Sequence, residues 1–410
     1  MANVHVTTSL VLRDTLAHLE NDLVLGNLVS TDYSKEFAKV GDTVMARKPV
    51  RFQGQSDNLD VTNYNEDIIE GKTPVTLKKT ETIKFSIDPK DRVLSVEKMR
   101  ERYIEPAVIK LKDRIESAIA SLYSDVYWFE GTPGTLPATF KSLGAPGATM
   151  TYAAIPQSGR KAVHNPDTSL ELADGLKNVY VQGTAKTAFE EAKIGRYAGF
   201  DNFTSVHIPR HTTGNWGGTP KVNGANQNVT YLSVKDTWQQ SLITDGWTAS
   251  TTGVLKKGDI FTIAGVYAVN PISKESTGRL QTFVVKADAN SGATTGPATL
   301  TISPPIIADG AYQTVTAVPA DDADITVKSG TKQTAYPQSL LFHPSAFTLV
   351  TRPLEIPSGE GLATETMSGN KVSLSISKWV DGNTLKENCR LDMLFDVVAV
   401  YPHMAMRLTG

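Results

Sequence analysis

The sequence predicts an α+β chain with a separate antiparallel β domain inserted into it. Three observations carry that reading. Residues 88–129 repeat apolar side chains every three or four positions, the period of a long amphipathic helix. Residues 41–87 alternate apolar and polar in two runs, the period of strands. Residues 231–327 read as short strands and turns throughout, yet mixed helix and strand signals lie on both sides of them.

Composition sets the outer bounds. At 410 residues the chain is long enough for a large core and for two or more domains. Its 41 basic and 43 acidic residues leave a formal charge of -2, so nothing draws the chain as a whole onto nucleic acid or an anionic membrane. Cys389 is the one cysteine, which rules out an intrachain disulfide and fits a reducing compartment. The opening residues lack the basic, apolar and small-residue regions of a signal peptide. No run of about 18 apolar residues occurs, so no membrane span is expected. These features predict a chain that folds in a cytoplasm.

In chain order, Ser9–Leu28 comes first. Leu10, Leu12, Leu16, Leu19, Leu23 and Leu25 fall at roughly helical spacing. Two readings stay open: a helix packed on its own core, or a terminal arm lying on a neighbouring subunit. Next, "GDTVMARKPVRFQ" and "TPVTLKKTETIKFSID" alternate around a polar, acidic stretch. The simplest object is one long β-hairpin whose tip has no core. A two-stranded ribbon is marginal alone in water, so this one must rest on its own domain or on another copy. Its basic residues Arg47, Lys48, Arg51, Lys78 and Lys79 either meet Glu66, Asp67 and Glu70 of a neighbour or stay solvated and blunt an exposed edge.

The long helical pattern follows. Asp88 then Pro89 suits a cap and a first helical position. Val96, Met99, Tyr103, Ala107, Leu111, Ile115, Ala118, Leu122 and Val126 form its apolar stripe. Pro106 predicts a kink or a restart. Further on, a short strand runs through Ala162 and Val163, and a helix begins near Asn165–Pro166–Asp167. Gly195 and Gly199 precede an extended "FDNFTSVHIP". The Gly/Asn/Thr-rich stretch Thr212–Asn228 reads as a mobile boundary.

From Tyr231 to about Val327 every segment reads as β, including "YLSV", "DIFTIAGVYAV", "LQTFVVKAD", "ATLTISPP" and "YQTVTAV". Val254–Pro271 within it reads as a strand, a tight glycine turn and another strand. Leu300 and Ile302 alternate cleanly with Thr299, Thr301 and Ser303. Thr213–Tyr336 is therefore a small antiparallel barrel or sandwich, close to neutral and carrying Trp216, Trp238 and Trp247.

No catalytic constellation stands out. The histidines form no metal-binding spacing; His207 and His211 are four apart, but Pro209 between them argues against a shared helix face. There is no phosphate-cradling loop and no nucleophile elbow. Cys389 has no obvious base beside it and reads as an inert, buried thiol. The Asp321, Asp322 and Asp324 cluster reads as a solvated turn rather than a cation site.

One ordered set of segments goes further. "AKVGDTVMARKPVRF", "SIDPKDRVLSVEKMRERYIEPA", "GRKAVHNP", "IGRYAGFDNF", "LLFHPSAFTLVTRPLEIPSG" and "LDMLFDVVAVYPHMAMRL" follow one another along the chain. In that order they resemble the major capsid (coat) proteins of tailed double-stranded DNA bacteriophages. The match is to the branch typified by the short-tailed Salmonella phage coat protein, which carries an inserted β-barrel domain. "TTGVLKKGDIFTIAGVYAVNP" resembles the core of that insertion.

The resemblance implies a Hong Kong 97-type capsid fold. It maps as an N-terminal arm (1–40), an extended loop (41–87), a peripheral domain with a spine helix (88–147 and 371–410), an axial domain (148–212 and 337–370) and the inserted β-barrel (213–336). It implies pentamers and hexamers closing an icosahedral shell around double-stranded DNA, without sequence-specific binding and without a cofactor. The implied partners are other copies of the chain, a scaffolding protein, a portal protein and, left open, decoration proteins; the implied locations are the host cytoplasm during assembly and then the virion. Asp14, Glu20 and Asp22 are the arm's candidate contacts for a basic scaffold segment. The alternative from another class is a surface adhesion or carbohydrate-binding protein on an Ig-like module, which exposed tryptophans in the insertion would favour.

Overall fold

The computed structural model describes residues 8–32, 43–54, 64–87, 105–176, 195–354, 362–369 and 371–410, with the single positions 60, 62 and 103. It divides the chain into two compact units, each built from three separate stretches. One comprises Met1–Ala46, Pro74–Ala120 and Phe347–Val398; the other comprises Arg47–Thr73, Ser121–Ala346 and Ala399–Gly410. Among the described residues no helix is long and apolar enough to cross a membrane.

The first unit packs helices on a five-stranded sheet. Its central strand, Glu387–Ala399, is the 13-residue "ENCRLDMLFDVVA". Strand Lys79–Ile87 pairs with one edge of it and Ser373–Val380 with the other, both antiparallel. Leu362–Ser368 and Phe347–Arg352 complete the sheet. Leu391, Met393, Leu394 and Phe395 are all buried, so this strand is covered on both faces.

Helix Thr8–Asp22 buries Leu12, Leu16 and Leu19, and Leu23 and Leu25 just after it are also buried. Of the two readings of this segment, a helix packed on its own core is the one observed for these leucines. At about 1.5–3 kcal/mol each, such burial is enough to seat the arm.

The longest described helix of this unit, Glu105–Ser121, begins with Pro106 in its first turn, where a missing N–H costs nothing. Ala107, Val108, Leu111, Ile115 and Ile119 are buried on one stripe. The expected earlier half of this helix, including Asp88 and Pro89, lies outside the described residues.

The long hairpin expected over 41–87 is not what forms. Thr43–Arg47 pairs only with Lys72–Thr76, five residues on each side. The remaining half of the alternating run, Lys79–Ile87, joins Glu387–Phe395 instead. Ile83 and Phe85 therefore gain a partner some three hundred residues away.

The second unit carries two sheets. The first is mixed, in the order Trp128–Gly131, Ala405–Thr409, Ala335–Phe342, Lys161–His164, Phe200–Thr204, Arg196–Tyr197. Two of its pairings are parallel, Trp128–Gly131 with Ala405–Thr409 and Lys161–His164 with Phe200–Thr204. Helix Pro166–Leu176 starts where the sequence places it: Asn165 Oδ1 accepts the Thr168 N–H at 3.0 Å and caps it. Helix Phe140–Tyr152 opens with a reciprocal cap between Thr139 and Ser142.

The second sheet is all antiparallel and six-stranded: Ile325–Val327, Ile260–Val269, Ser276–Val285, Ala298–Ser303, Gln240–Trp247, Gly218–Val222. Its two end strands meet at a Lys221–Asp324 bridge, so the sheet is nearly closed. Inside it, Phe261 and Phe283 stack with ring centres 5.7 Å apart, among Leu242, Trp247, Leu300 and Ile302. Ile260, Ala268 and Val284 point the other way and share a core with Trp128, Phe129, Leu341 and Met406.

Val254–Pro271 does not turn back on itself. Ile260–Val269 is one strand with a register break between Thr262 and Tyr267, where Gly265 takes a φ of +78°. "YLSV" is a single helical turn, Tyr231–Val234, rather than a strand. "YQTVTAV" contributes one bridge, Ala268 with Val315. The stretch read as a mobile boundary contains strand Gly218–Val222.

The chain enters and leaves this region through neighbouring strands, because His211 pairs with Tyr336 and Thr212 with Ala335. At the entry, Asp259 is fully buried and accepts from His211 Nε2 at 2.9 Å, the Gly214 N–H at 2.9 Å and the Lys256 N–H at 2.7 Å.

Candidate subunit interface

Among the described residues between Lys48 and Gly71 no strand forms. The loop's last ladder bond runs from the Lys48 N–H to the Gly71 carbonyl, 2.8 Å. Pro49 removes one donor, and the polar residues beyond offer little to bury. Two of its described apolar side chains face solvent, Phe52 at 58% and Ile68 at 69% exposed, whereas Ile69 packs against the cluster of Tyr231 and Tyr312.

The charged residues singled out in the sequence have diverse surroundings. Arg47 and Glu70 of the same chain approach to 3.8 Å, but with side chains 75% and 41% exposed that pair contributes about 0–1 kcal/mol. Glu66 turns inward on the loop and accepts the Gln53 and Gly54 N–H groups at 2.8 and 2.7 Å, and Tyr64 Oη as well. Asp67 and Lys78 are exposed. Lys79 lies 3.7 Å from Asp396 of the first unit's sheet.

Lys48 and Arg51 are held at the loop's root. Lys48 Nζ donates to the Lys235 carbonyl at 2.7 Å and sits 5.7 Å above the Trp238 ring. Burial lowers its pKa to about 8, against the opposing pull of Asp236. Arg51 donates its N–H to Tyr312 Oη at 3.1 Å.

On the arm, Glu20 Oε1 accepts the Lys371 and Val372 N–H groups at 2.8 and 3.4 Å. The side chains of Asp14 and Asp22 lie outside the described residues.

Buried polar groups elsewhere act as anchors. His211 uses both ring nitrogens, Nε2 on Asp259 and Nδ1 at 3.0 Å from Tyr123 Oη. Neither is left for a substrate, so this Tyr–His–Asp chain ties elements together. Arg407 is fully buried, donates to the Gly258 carbonyl at 2.8 Å and stacks near Tyr123 and Phe129; burial lowers its pKa to about 10. Cys389 is buried, which pushes its thiol up to about 11 and keeps it unreactive.

Residues 1–410 match the model of the family described as P22 coat protein, gene protein 5. The chain belongs to the P22 coat protein family. A protein of Acyrthosiphon pisum secondary endosymbiont phage 1, named major capsid protein, is 26% identical over 420 residues, covering 98% of this chain and 97% of its own length. Among solved structures, the capsid of Ralstonia phage GP4 is 8% identical with a TM-score of 0.48, covering 94% of this chain and 88% of that one. The CUS-3 coat protein I-domain is 29% identical with a TM-score of 0.20, covering 27% of this chain and 96% of that one.

Two features of this coat-family chain escape sequence reasoning. Glu116, in the middle of helix Glu105–Ser121, is fully buried and accepts the N–H groups of Val24, Leu25 and Gly26 at 2.8, 3.0 and 3.2 Å. It pins the end of the arm to the helix. Nothing in "RIESAIA" distinguishes it from a solvated glutamate. The second feature is the aromatic face of Tyr231, Trp238 and Tyr312, which receives the loop's root; Tyr312 lies 81 residues from Tyr231 and 74 from Trp238, and no local pattern joins them.

Proposed function

We propose that this chain is the major capsid protein of a tailed phage, many copies of which build the shell that encloses the genome. The end-to-end family match carries the reading. The loop is in keeping with it, since Phe52 and Ile68 are exposed and free to meet a neighbouring copy. The proposed architecture is the Hong Kong 97-type: arm, extended loop, spine helix, axial domain, and an inserted β-barrel over 213–336. The His211–Tyr336 pairing and the nearly closed six-stranded sheet support the last of these.

In this reading, copies gather as pentamers and hexamers on an icosahedral lattice around double-stranded DNA. A scaffolding protein guides closure in the host cytoplasm and a portal protein takes one vertex. Near-neutral charge suits a wall that must not grip DNA. Arg47, Lys48, Arg51, Glu66, Asp67, Glu70, Lys78 and Lys79 remain the loop's proposed interface set. Asp14, Glu20 and Asp22 remain the arm's, with the carboxylate of Glu20 already shared with two backbone groups.

A structural protein needs no catalytic group, and the buried Tyr–His–Asp chain is read as an anchor. The carbohydrate-binding alternative finds no support in the tryptophans, because Trp216, Trp238 and Trp247 are all buried or half-buried.

Negative-stain microscopy of the purified protein, alone and with a scaffolding protein, tests the proposal. Uniform hollow shells are expected. Particles that stay monomeric under both conditions would overturn it.

A further inference from the structure

The root of the extended loop is clasped by the insertion of its own chain. Tyr312 Oη accepts the Arg51 N–H at 3.1 Å and donates to the Ile69 carbonyl at 3.2 Å. One hydroxyl thus joins the two limbs of the loop just beyond the last ladder bond. The ring beneath that hydroxyl is fixed by Tyr231, stacked on it at 3.4 Å with planes 5° apart. On the returning limb the Lys72 N–H donates to Asp236 Oδ1 at 2.9 Å. On the outgoing limb Lys48 reaches the Lys235 carbonyl. Gly71 is needed for the fit, because a Cβ there would lie 2.6 Å from the Lys235 carbonyl oxygen and 2.8 Å from Tyr231 Oη.

These contacts have a directional consequence. The five-residue ladder is too short to fix the loop's course, and the loop has little core beyond it. What aims the loop is therefore the surface on which its root sits. We infer that the Tyr231–Trp238–Tyr312 face of the insertion is the seat that directs the loop's two described limbs, 47–54 and 64–73, toward a contact on the next copy, with Tyr312 Oη as the pin between the limbs. This rests on the shell-building reading above. It gives the insertion a task besides stabilising the monomer or bracing neighbours: it positions the element through which copies join. A subunit whose seat is broken still folds, but its loop samples many directions, and closure into uniform shells fails.

The test uses two full-length variants. Tyr312→Phe removes the hydroxyl and keeps the ring stack; Asp236→Ala removes an exposed carboxylate whose loss leaves the core intact. Hydrogen exchange in the unassembled subunit reads the clasp directly. Amides of 48–54 and 64–73 are expected to exchange about tenfold faster in each variant, with those of Ile260–Val269 unchanged. Assembly with a scaffolding protein reads the consequence. Wild type is expected to give uniform shells and the variants open or irregular ones.

Unchanged loop exchange in both variants would overturn the seat. So would a loosened loop that still closes uniform shells as fast as wild type. Wild-type protein that forms no particles would instead sink the shell reading, while the exchange result still reports on the clasp.

Discussion

A single carboxylate shows how far this fold depends on contacts that no local pattern announces. Glu116 satisfies three backbone N–H groups of the arm from inside a helix. Glu116→Ala is expected to cost about 2–4 kcal/mol, since three backbone donors lose the buried carboxylate that accepts them. Glu116→Gln, which keeps one oxygen, should cost less. Denaturant unfolding checks both, and equal stability of the Ala variant and wild type would refute the role. His164 makes a second prediction. It is fully buried, its Nε2 donates to Asn202 Oδ1 at 3.1 Å, and burial lowers its pKa to about 4. A depressed histidine binds its proton more tightly in the unfolded chain, so stability falls as pH drops from about 6.5 toward 4, by on the order of 3 kcal/mol in all. Urea midpoints measured at pH 7 and pH 5 should converge when His164→Gln is compared with wild type. An identical slope in both proteins would contradict this.

At the level of elements, periodicity was legible where an element serves a single sheet or core. The strand Lys161–His164 and the helix starting at Pro166 follow directly from a β run, an Asn cap and a proline. What periodicity does not state is the partner. Val75 and Phe85 belong to one alternating run, yet the strand carrying Val75 pairs with Thr43–Arg47 and the strand carrying Phe85 with Glu387–Phe395. Tyr231–Val234 has strand-forming residues but closes into a turn, because Tyr231 must stack on Tyr312. The loop's proposed interface residues are legible only as a composition; the clasp at its root is tertiary. The proposed insertion yields its own prediction. Its core around Phe261, Phe283 and Leu300 is internal, so an isolated 213–336 fragment is expected to melt cooperatively. It should melt below the full chain, because Ile260, Ala268 and Val284 lose their cover and Arg279 loses Glu130, 2.6 Å away. A fragment without a cooperative transition would show that the module borrows its stability from the host.

At the scale of the whole molecule, a single subunit leaves Phe52 and Ile68 exposed, and in the shell reading another copy covers them. Individual contacts between copies are then modest, and their repetition around a closed shell makes them decisive. Footprinting with hydroxyl radicals tests this most directly, by labelling Phe52, Tyr64 and Ile68 in free subunits and in assembled particles. The account predicts strong labelling of all three in the subunit and protection of Phe52 and Ile68 in the particle. Equal labelling in both states would mean that copies meet elsewhere, and the loop would lose its place as the joint between them.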